Sequence, residues 1–500
     1  MKLNRKSITS ILSANLLSIP SDTIFQLPEK VLQFGTGILL RGLPDYYIDK
    51  ANKEGIFNGR VVVVKSTKGN TSEFAEQDGL YTHCIKGMEN SVLKEEYIIN
   101  ASISRVLSSE TEWTEILECA ANESLQIIIS NTTEVGITLV ETDNINNEPP
   151  VSFPGKLLSF LYRRYLEFKG TIESGMVIVP TELIVDNGTK LKSIVVELAK
   201  LNKLEESFIE WLHNANDFCN SLVDRIVPGS LPANDLKELE QNFDYADELA
   251  IMSEVYSLWA IETQSEKTKE ILSFSLADKS CVITNDINKF RELKLRLLNG
   301  THTFSCGLAY LSNFDFVNES MHHEGMKSFI HDLMMQEIAP CIISESITEE
   351  EARIFAESVI NRFSNPYIQH KWLSITMQYT GKMKMRNVPL LLKYYELKGH
   401  VPKFMAMGFA AYLLFLRVTE KVDDQYYGIR NGEPYLINDD AAAYFYQLWQ
   451  ENDASQVAQK TLENKSLWGE DLAALPGFVE VVTNFLVPYA GNNTIISWGR

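Results

Sequence analysis

Four short apolar runs punctuate the first half of the chain: Val31-Leu32-Gln33-Phe34, Val61-Val62-Val63-Val64, Ile127-Ile128-Ile129 and Met176-Val177-Ile178-Val179. Each is continuous rather than alternating and is bounded by polar residues. Such runs suit strands covered on both faces, as in a parallel sheet. Helical patterns lie between several of them, giving a strand–helix–strand rhythm. The stretch from Gly79 to Ile99 reads instead as an antiparallel excursion. From about Ile287 the pattern changes to long segments rich in Leu, Ala, Glu, Lys and Met. It predicts helices over 289–311, 326–338, 349–362 and 403–417, punctuated by Pro340, Pro366, Pro389 and Pro402. No internal repeat or low-complexity linker interrupts either half. The expectation is an α/β domain over residues 1–283 and an all-α domain over 284–500. Two domains also fit a length too great for one ordinary core.

The first run leads directly into Gly35-Thr36-Gly37-Ile38-Leu39-Leu40-Arg41-Gly42. A strand, then Gly-x-Gly, then a helix is the local geometry that holds a dinucleotide pyrophosphate, because glycine allows a tight turn and lets backbone N–H groups reach phosphate oxygens. This makes the first domain Rossmann-like. Leu40 stands where the usual fingerprint has its third glycine. The second run ends in Lys65-Ser66-Thr67 rather than in the acidic residue that would meet the ribose. Taken alone, the motif marks a tight turn as readily as a nucleotide site, and Lys65 leaves NAD against NADP open.

Candidate chemistry in the second half centres on Lys294-Leu295-Arg296-Leu297-Leu298-Asn299-Gly300-Thr301-His302. On an α-helix at about 100° per residue, Asn299 falls near 140° and His302 near 80° from Lys294, so all three share one broad arc and Arg296 points to the other side. The trio suits alcohol and ketone chemistry without a metal. A lysine taken out of water in a cleft loses affinity for its proton, so its amine can accept the proton of a hydroxyl. A carboxamide and an imidazole can donate hydrogen bonds to the oxygen where negative charge develops. A solvated polar helix face with a core histidine explains the same pattern. Gly300 favours the functional reading, because glycine inside a helix costs roughly 1 kcal/mol and implies close packing or a ligand.

Composition narrows the partners. A formal net charge of −20 repels nucleic acid and anionic membranes, and no basic run reverses it locally. The six cysteines form no C-x-x-C pair and read as buried thiols, so neither a zinc site nor a disulfide framework is expected. No apolar stretch reaches the roughly 18 residues that cross a bilayer. The first 19 residues resemble an export leader only superficially: Ser10, Ser13, Asn15 and Ser18 break the apolar stretch, so a cytoplasmic location is expected. His322-His323-Glu324 with His331 reads as surface rather than as a metal site, since adjacent helical residues diverge by about 100°. Tyr444-Phe445-Tyr446 with Trp449 reads as core packing.

Lys294-x-x-x-x-Asn299-x-x-His302 resembles the signature of the long-chain mannitol dehydrogenase family. Phe34-Gly35-x-Gly37-x-x-x-Arg41, Gln77-Asp78-Gly79-Leu80-Tyr81-Thr82, Ser130-Asn131-Thr132-Thr133-Glu134-x-Gly136 and Val223-Asp224-Arg225-Ile226 are similar to further family segments. The likeness runs from about residue 30 to 490. It implies a zinc-independent secondary-alcohol dehydrogenase with Lys294 as acid/base and Asn299 and His302 beside it. It implies NAD as cofactor, held by Gln33, Phe34, Gly35, Thr36, Gly37, Ile38, Leu39, Leu40 and Arg41 with Thr133 and Glu134. Asp224 and Lys382 match substrate-side positions; Asp224 can equally be a structural ion pair with Arg225 or a neighbour.

Within the family, four segments resemble the branch that reduces uronates: Ser130 to Glu134, Pro180-Thr181-Glu182-Leu183-Ile184, Leu298 to Thr303, and Arg362-Phe363-x-Asn365-Pro366-Tyr367-Ile368. That likeness implies D-altronate as alcohol and D-tagaturonate as ketone, in galacturonate breakdown. Mannitol-specific relatives carry an asparagine where Leu183 stands and an arginine where Ser374 stands, so two polyol-binding groups are lost. Lys382, Lys384 and Arg386 supply positive charge, and Lys382 or Arg386 is expected to read the carboxylate of a sugar acid. The competing expectations are a fructuronate or polyol dehydrogenase of the same family, and a catalytically silent sugar-acid sensor. The oligomeric state is left open.

Overall fold

All four apolar runs fold as strands of a single sheet. The computed structural model describes residues 1–11, 17–132 and 136–491. In it, β1 (Glu29–Phe34), β2 (Arg60–Lys65), β3 (Ile103–Ser108), β4 (Ile127–Ser130), β5 (Val177–Pro180) and β6 (Asp217–Phe218) pair in the order β3-β2-β1-β4-β5-β6. Every pairing is parallel. This is the doubly wound order of a Rossmann fold, whose strand order reverses between β1 and β4. The runs are continuous because alternate residues enter different cores. Leu32, Val62, Val64, Ile128 and Ile178 pack with Leu157, Leu161, Leu191 and Val195 on one side. Val31, Val61, Val63, Ile127, Ile129, Val177 and Val179 pack with Tyr47, Ile48, Trp259 and Phe274 on the other. Each fully buried side chain of this kind contributes roughly 1.5–3 kcal/mol, so neither face tolerates a polar residue without a partner.

The antiparallel excursion is a hairpin, Tyr81–Glu89 and Val92–Asn100, turned at Asn90 and Ser91, both with positive φ. The chain divides into two compact units, one of residues 1–87 and 93–287, the other of residues 88–92 and 288–500.

The second unit is largely helical but not all-α. A three-stranded antiparallel meander, Glu420–Val422, Gln425–Arg430 and Glu433–Ile437, corrects that expectation. Its two tight turns carry the reason. Asp423, Asn431 and Gly432 adopt positive φ, and Asn-Gly is the preferred two-residue hairpin turn. Helix Glu349–Phe363 starts with a capping box between Thr348 and Glu351. Helices Thr301–Leu311 and Lys403–Phe415 form the centre of the unit, and nearly every residue of both is buried. Of the predicted aromatic core cluster, Phe445 is fully buried, edge-on to Tyr412 at 5.8 Å, whereas Tyr444, Tyr446 and Trp449 are half-buried.

Among the described residues, three segments are π-helical: Lys294–Gly300, Leu333–Ile338 and Met383–Asn387. Such turns are rare and occur frequently at functional sites. All six cysteines are free and buried. Among the described residues, no helix is long and apolar enough to cross a membrane.

Candidate active site

The glycine turn leaves the C-terminal end of β1, beside the point where strand order reverses, which is where open α/β sheets bind ligands. Gly35 has φ +128°, and a Cβ there would lie 2.9 Å from Leu40 Cδ1 and 3.1 Å from the Asn131 carbonyl oxygen. Leu40, in the place of the third glycine, fills the space beneath the turn and is fully buried. Gly37 differs: a Cβ there would meet nothing within 4 Å. It precedes the helical turn Ile38–Gly42, and the open space above it fits a phosphate approaching the backbone. These residues therefore fit a dinucleotide.

Gln33 and Phe34 are buried in the strand. The Gln33 amide donates to Asp45 Oδ2 at 3.3 Å, and the Phe34 ring packs edge-on to Phe153 at 5.2 Å. Thr36, Ile38 and Leu39 are half-exposed or less. The Arg41 guanidinium turns inward, donates to the Leu249 carbonyl, and lies over the Tyr81 ring at 5.3 Å.

Gly35→Ala is expected to destabilise the protein by at least roughly 1–3 kcal/mol, the cost of a non-glycine residue in this backbone region. Gly37→Ala should leave thermal stability close to wild type and weaken dinucleotide binding. Thermal unfolding and NADH fluorescence titration of both variants check this; equal melting temperatures for the two would contradict the assignment of Gly35.

At the end of β4, one buried carboxylate ties two of the sequence motifs together. Glu182 accepts hydrogen bonds from the Thr132 N–H (2.8 Å), Thr132 Oγ1 (3.0 Å) and Ser130 Oγ (3.2 Å). The Asn131 amide donates to Thr181 Oγ1 at 2.9 Å. Thr133 and Glu134 lie outside the described residues. Asp224 is buried at the end of strand Asn220–Asp224. The neighbouring Arg225 donates to the Gly42 carbonyl at 2.8 Å and to the Glu254 carbonyl at 3.0 Å.

In the second unit, Lys294 opens a π turn and Asn299 lies near its end. Such a turn closes i→i+5 hydrogen bonds, so each residue advances less than on an α-helix, and residue i+5 comes close to lying above residue i. Asn299 is five residues after Lys294, so the α-helical angle of about 140° does not apply. Both side chains are half-buried. Gly300 is needed for packing, since a Cβ there would press on Leu390 Cδ1 at 3.3 Å and Asn387 Oδ1 at 3.4 Å.

His302 follows in the first turn of helix Thr301–Leu311 and is buried. Its ring stacks on Phe363 at 4.2 Å and 9°, with His370 edge-on at 5.3 Å and Trp372 at 5.9 Å. Nε2 has no hydrogen-bond partner within the protein. A buried polar atom left unpaired costs about 1–3 kcal/mol, which marks it as an atom awaiting a ligand. Burial, and then the neighbouring His370, Arg362, Arg386 and Lys382, hold the imidazole well below its ordinary pKa. It is neutral at pH 7.

The cations come from the π turn Met383–Asn387, which carries Arg386, and from Lys382 immediately before it. Lys382 Nζ donates to the Ile375 carbonyl at 2.9 Å, and burial followed by Arg386 lowers its pKa. Arg386 donates through Nη1 to Thr303 Oγ1 at 3.2 Å, while its buried Nε has no partner. Among the described residues, neither cation forms an ion pair with a carboxylate. Lys384 is exposed.

The two π turns are tied in both directions. Arg296 donates from the first to the Met385 and Arg386 carbonyls at 3.1 and 2.7 Å. Thr303, which Arg386 reaches, donates to the Asn299 carbonyl at 2.7 Å. Arg296 thus serves the site from its outer side.

Sequence reasoning missed Phe363 and His370 as neighbours of His302, because residues some 60 positions apart carry no periodic signal. Phe363 lay within a quoted motif; His370 lay in none. His322, His323 and His331 are exposed, and His323 Nδ1 accepts from the Met326 N–H as a helix cap. Among the described residues, no group of three His, Cys, Asp or Glu side chains is gathered for a metal.

Comparison with known proteins fits this geometry. Residues 29–273 match the mannitol dehydrogenase Rossmann domain, and residues 286–489 match the mannitol dehydrogenase C-terminal domain. The altronate oxidoreductase of Bacillus subtilis is 39% identical over 468 residues, 93% of each chain. That of Halalkalibacterium halodurans is 37% identical, covering 95% of this chain and 93% of its own. An Escherichia coli altronate oxidoreductase is 34% identical, over 92% of this chain and 94% of its own.

Two solved structures share the fold. One is Pseudomonas fluorescens mannitol 2-dehydrogenase in a ternary complex with NAD and D-mannitol, at TM-score 0.67 and 20% identity, covering 99% of this chain and 98% of its own. The other is a substrate-free D-sorbitol dehydrogenase, at TM-score 0.76 and 18% identity, covering 98% of this chain and all of its own. The chain belongs to the mannitol dehydrogenase family and is an oxidoreductase of that family.

Proposed function

We propose that this protein is an NAD-dependent tagaturonate reductase, or altronate oxidoreductase, acting in the cytoplasm on D-tagaturonate and D-altronate without a metal, in galacturonate breakdown. The observation that carries the reading is the cluster of cations around His302. Lys382 and Arg386 stand beside an imidazole with an unpaired nitrogen, and neither forms an ion pair with a carboxylate among the described residues. A neutral polyol needs no such charge, whereas a sugar acid brings the missing anion. The altronate oxidoreductases that match most of the chain support the same substrate.

The nicotinamide, when bound, supplies or takes up the hydride. The protein's own groups handle the proton and the charge. In reduction, the Lys294 ammonium gives its proton to the ketone oxygen as that oxygen becomes a hydroxyl; in oxidation, the amine takes it back. Asn299 donates through its carboxamide and His302 through Nε2–H, in the tautomer that leaves the ring neutral, to the oxygen that carries developing charge. Gly35 and Gly37 shape the nucleotide turn, and Arg386 and Lys382 hold the carboxylate.

A substrate panel tests the reading. NADH and NADPH oxidation are followed with tagaturonate, fructuronate and fructose. NADH with tagaturonate is expected to give a kcat/KM at least about tenfold above any other pair, about 1.4 kcal/mol of discrimination. Reduction of fructuronate but not tagaturonate would sink the substrate assignment. Tight NADH binding with no turnover of any ketone would favour a sensor.

A further inference from the structure

His370 is the neighbour of His302 to which the reaction gives no task. It lies between helix Glu349–Phe363 and the helical turn Trp372–Ile375. Its backbone is fixed: its carbonyl accepts the Val317 N–H at 2.9 Å, and the adjoining Lys371 bridges to Phe316. The ring stands at 86° to His302, with centroids 5.3 Å apart, and is half-buried. Within the described residues no hydrogen bond is made to either ring nitrogen. Among the described residues, the side chains that act on the ring belong to the site. These are His302, with its unpaired Nε2, and Lys382, whose positive charge together with burial keeps the His370 ring below its ordinary pKa. A half-buried imidazole with a pinned backbone, two unbonded nitrogens and a cation beside it is prepared for an acceptor from outside the protein.

We propose that His370 is a specificity-determining residue that donates a hydrogen bond to the carboxylate of the substrate, beside Lys382 and Arg386, and so favours a sugar acid over the corresponding neutral ketose. The inference rests on the sugar-acid reading of this site and names a residue within it. A carboxylate has about four lone-pair sites and takes several donors at once, so three groups can share it without competing. Proton transfer takes place elsewhere, on the oxygen that Lys294 meets. His370 therefore contributes to binding in the ground state and the transition state alike, which moves KM more than kcat. A residue that merely held His302 in place would do the reverse.

The test compares wild type with His370→Asn and His370→Phe. The second keeps an aromatic edge against His302 and removes the donors. NADH fluorescence titration and thermal unfolding establish that each variant is folded. Steady-state kinetics are then measured with tagaturonate and D-tagatose, and with fructuronate and fructose, pairs that differ in carboxylate against hydroxymethyl. His370→Phe is expected to raise KM for the preferred uronate about tenfold with a much smaller change in kcat, and to lower the acid-to-ketose ratio of kcat/KM by a similar factor. His370→Asn, which keeps an N–H donor on a shorter side chain, is expected to fall between.

A loss of kcat at constant KM, or an equal loss with acid and ketose, would overturn the inference and make His370 a support for His302. Unchanged kinetics would overturn it too. If wild type prefers fructuronate, the substrate assignment falls while the role of His370 is still judged on the fructuronate and fructose pair. If wild type reduces neither uronate, both fall.

Discussion

Lys294→Ala is expected to lower kcat for tagaturonate reduction by about 10²- to 10⁴-fold, the usual contribution of a positioned acid/base, with NADH affinity retained. The size follows from the proton being assigned to Lys294, since Lys382 is engaged with the Ile375 carbonyl and assigned to the carboxylate. The neutral imidazole of His302 is held below its ordinary pKa by burial and by the neighbouring His370, Arg362, Arg386 and Lys382, so it is a poor source of a proton at pH 7. Asn299 cannot titrate. Lys294 also sits where the chain has left α-helical geometry, on a turn whose i→i+5 closure brings it towards Asn299. Its removal takes the proton donor away and leaves the oxyanion donors in place, so the residual rate should still exceed the uncatalysed one. Stopped-flow NADH oxidation under single-turnover conditions reads the chemical step directly.

Arg386→Ala is expected to raise KM for tagaturonate roughly 10- to 100-fold, the equivalent of a lost charge-assisted hydrogen bond of about 1.5–3 kcal/mol. Arg386 keeps its charge although burial lowers its pKa, because a guanidinium titrates far above neutrality. Its Nη1 is engaged with Thr303 while its buried Nε has no partner, so one edge of the fork is held and another is open. Arg386→Lys retains the charge and loses the planar fork, and should recover only part of the affinity. An unchanged KM in Arg386→Ala would show that the arginine does not read the carboxylate and would leave Lys382 as the candidate.

Much of the first unit was legible from residue type alone. A run such as Val61 to Val64 can be satisfied only by a strand with apolar cover on both faces, and the two cores provide it. The turn at Gly35 could be read because its φ of +128° and the close Asn131 carbonyl leave glycine as the residue that fits. The meander was overlooked although Asn431-Gly432 announced one of its turns, since the surrounding helical pattern outweighed a short alternating segment.

The π turns could not have been read at all. Apolar spacing at three and four residues looks the same whether one hydrogen bond spans four residues or five. The α-helical angles read from the motif therefore do not hold between Lys294 and Asn299. The remaining surroundings of the site are tertiary. Phe363 on one face of His302, His370 at its edge, and the reciprocal ties of Arg296 and Arg386 between the two π turns all join distant parts of the chain.

The claim on which the account turns is that one lysine amine exchanges a proton with the substrate oxygen. Chemical rescue of Lys294→Ala by small primary amines measures this most directly. The variant is assayed with NADH and tagaturonate across a methylamine series at several pH values. The predicted result is a very low rate without amine that rises with the concentration of added amine. A rate without amine close to that of wild type, and flat across the series, would contradict it.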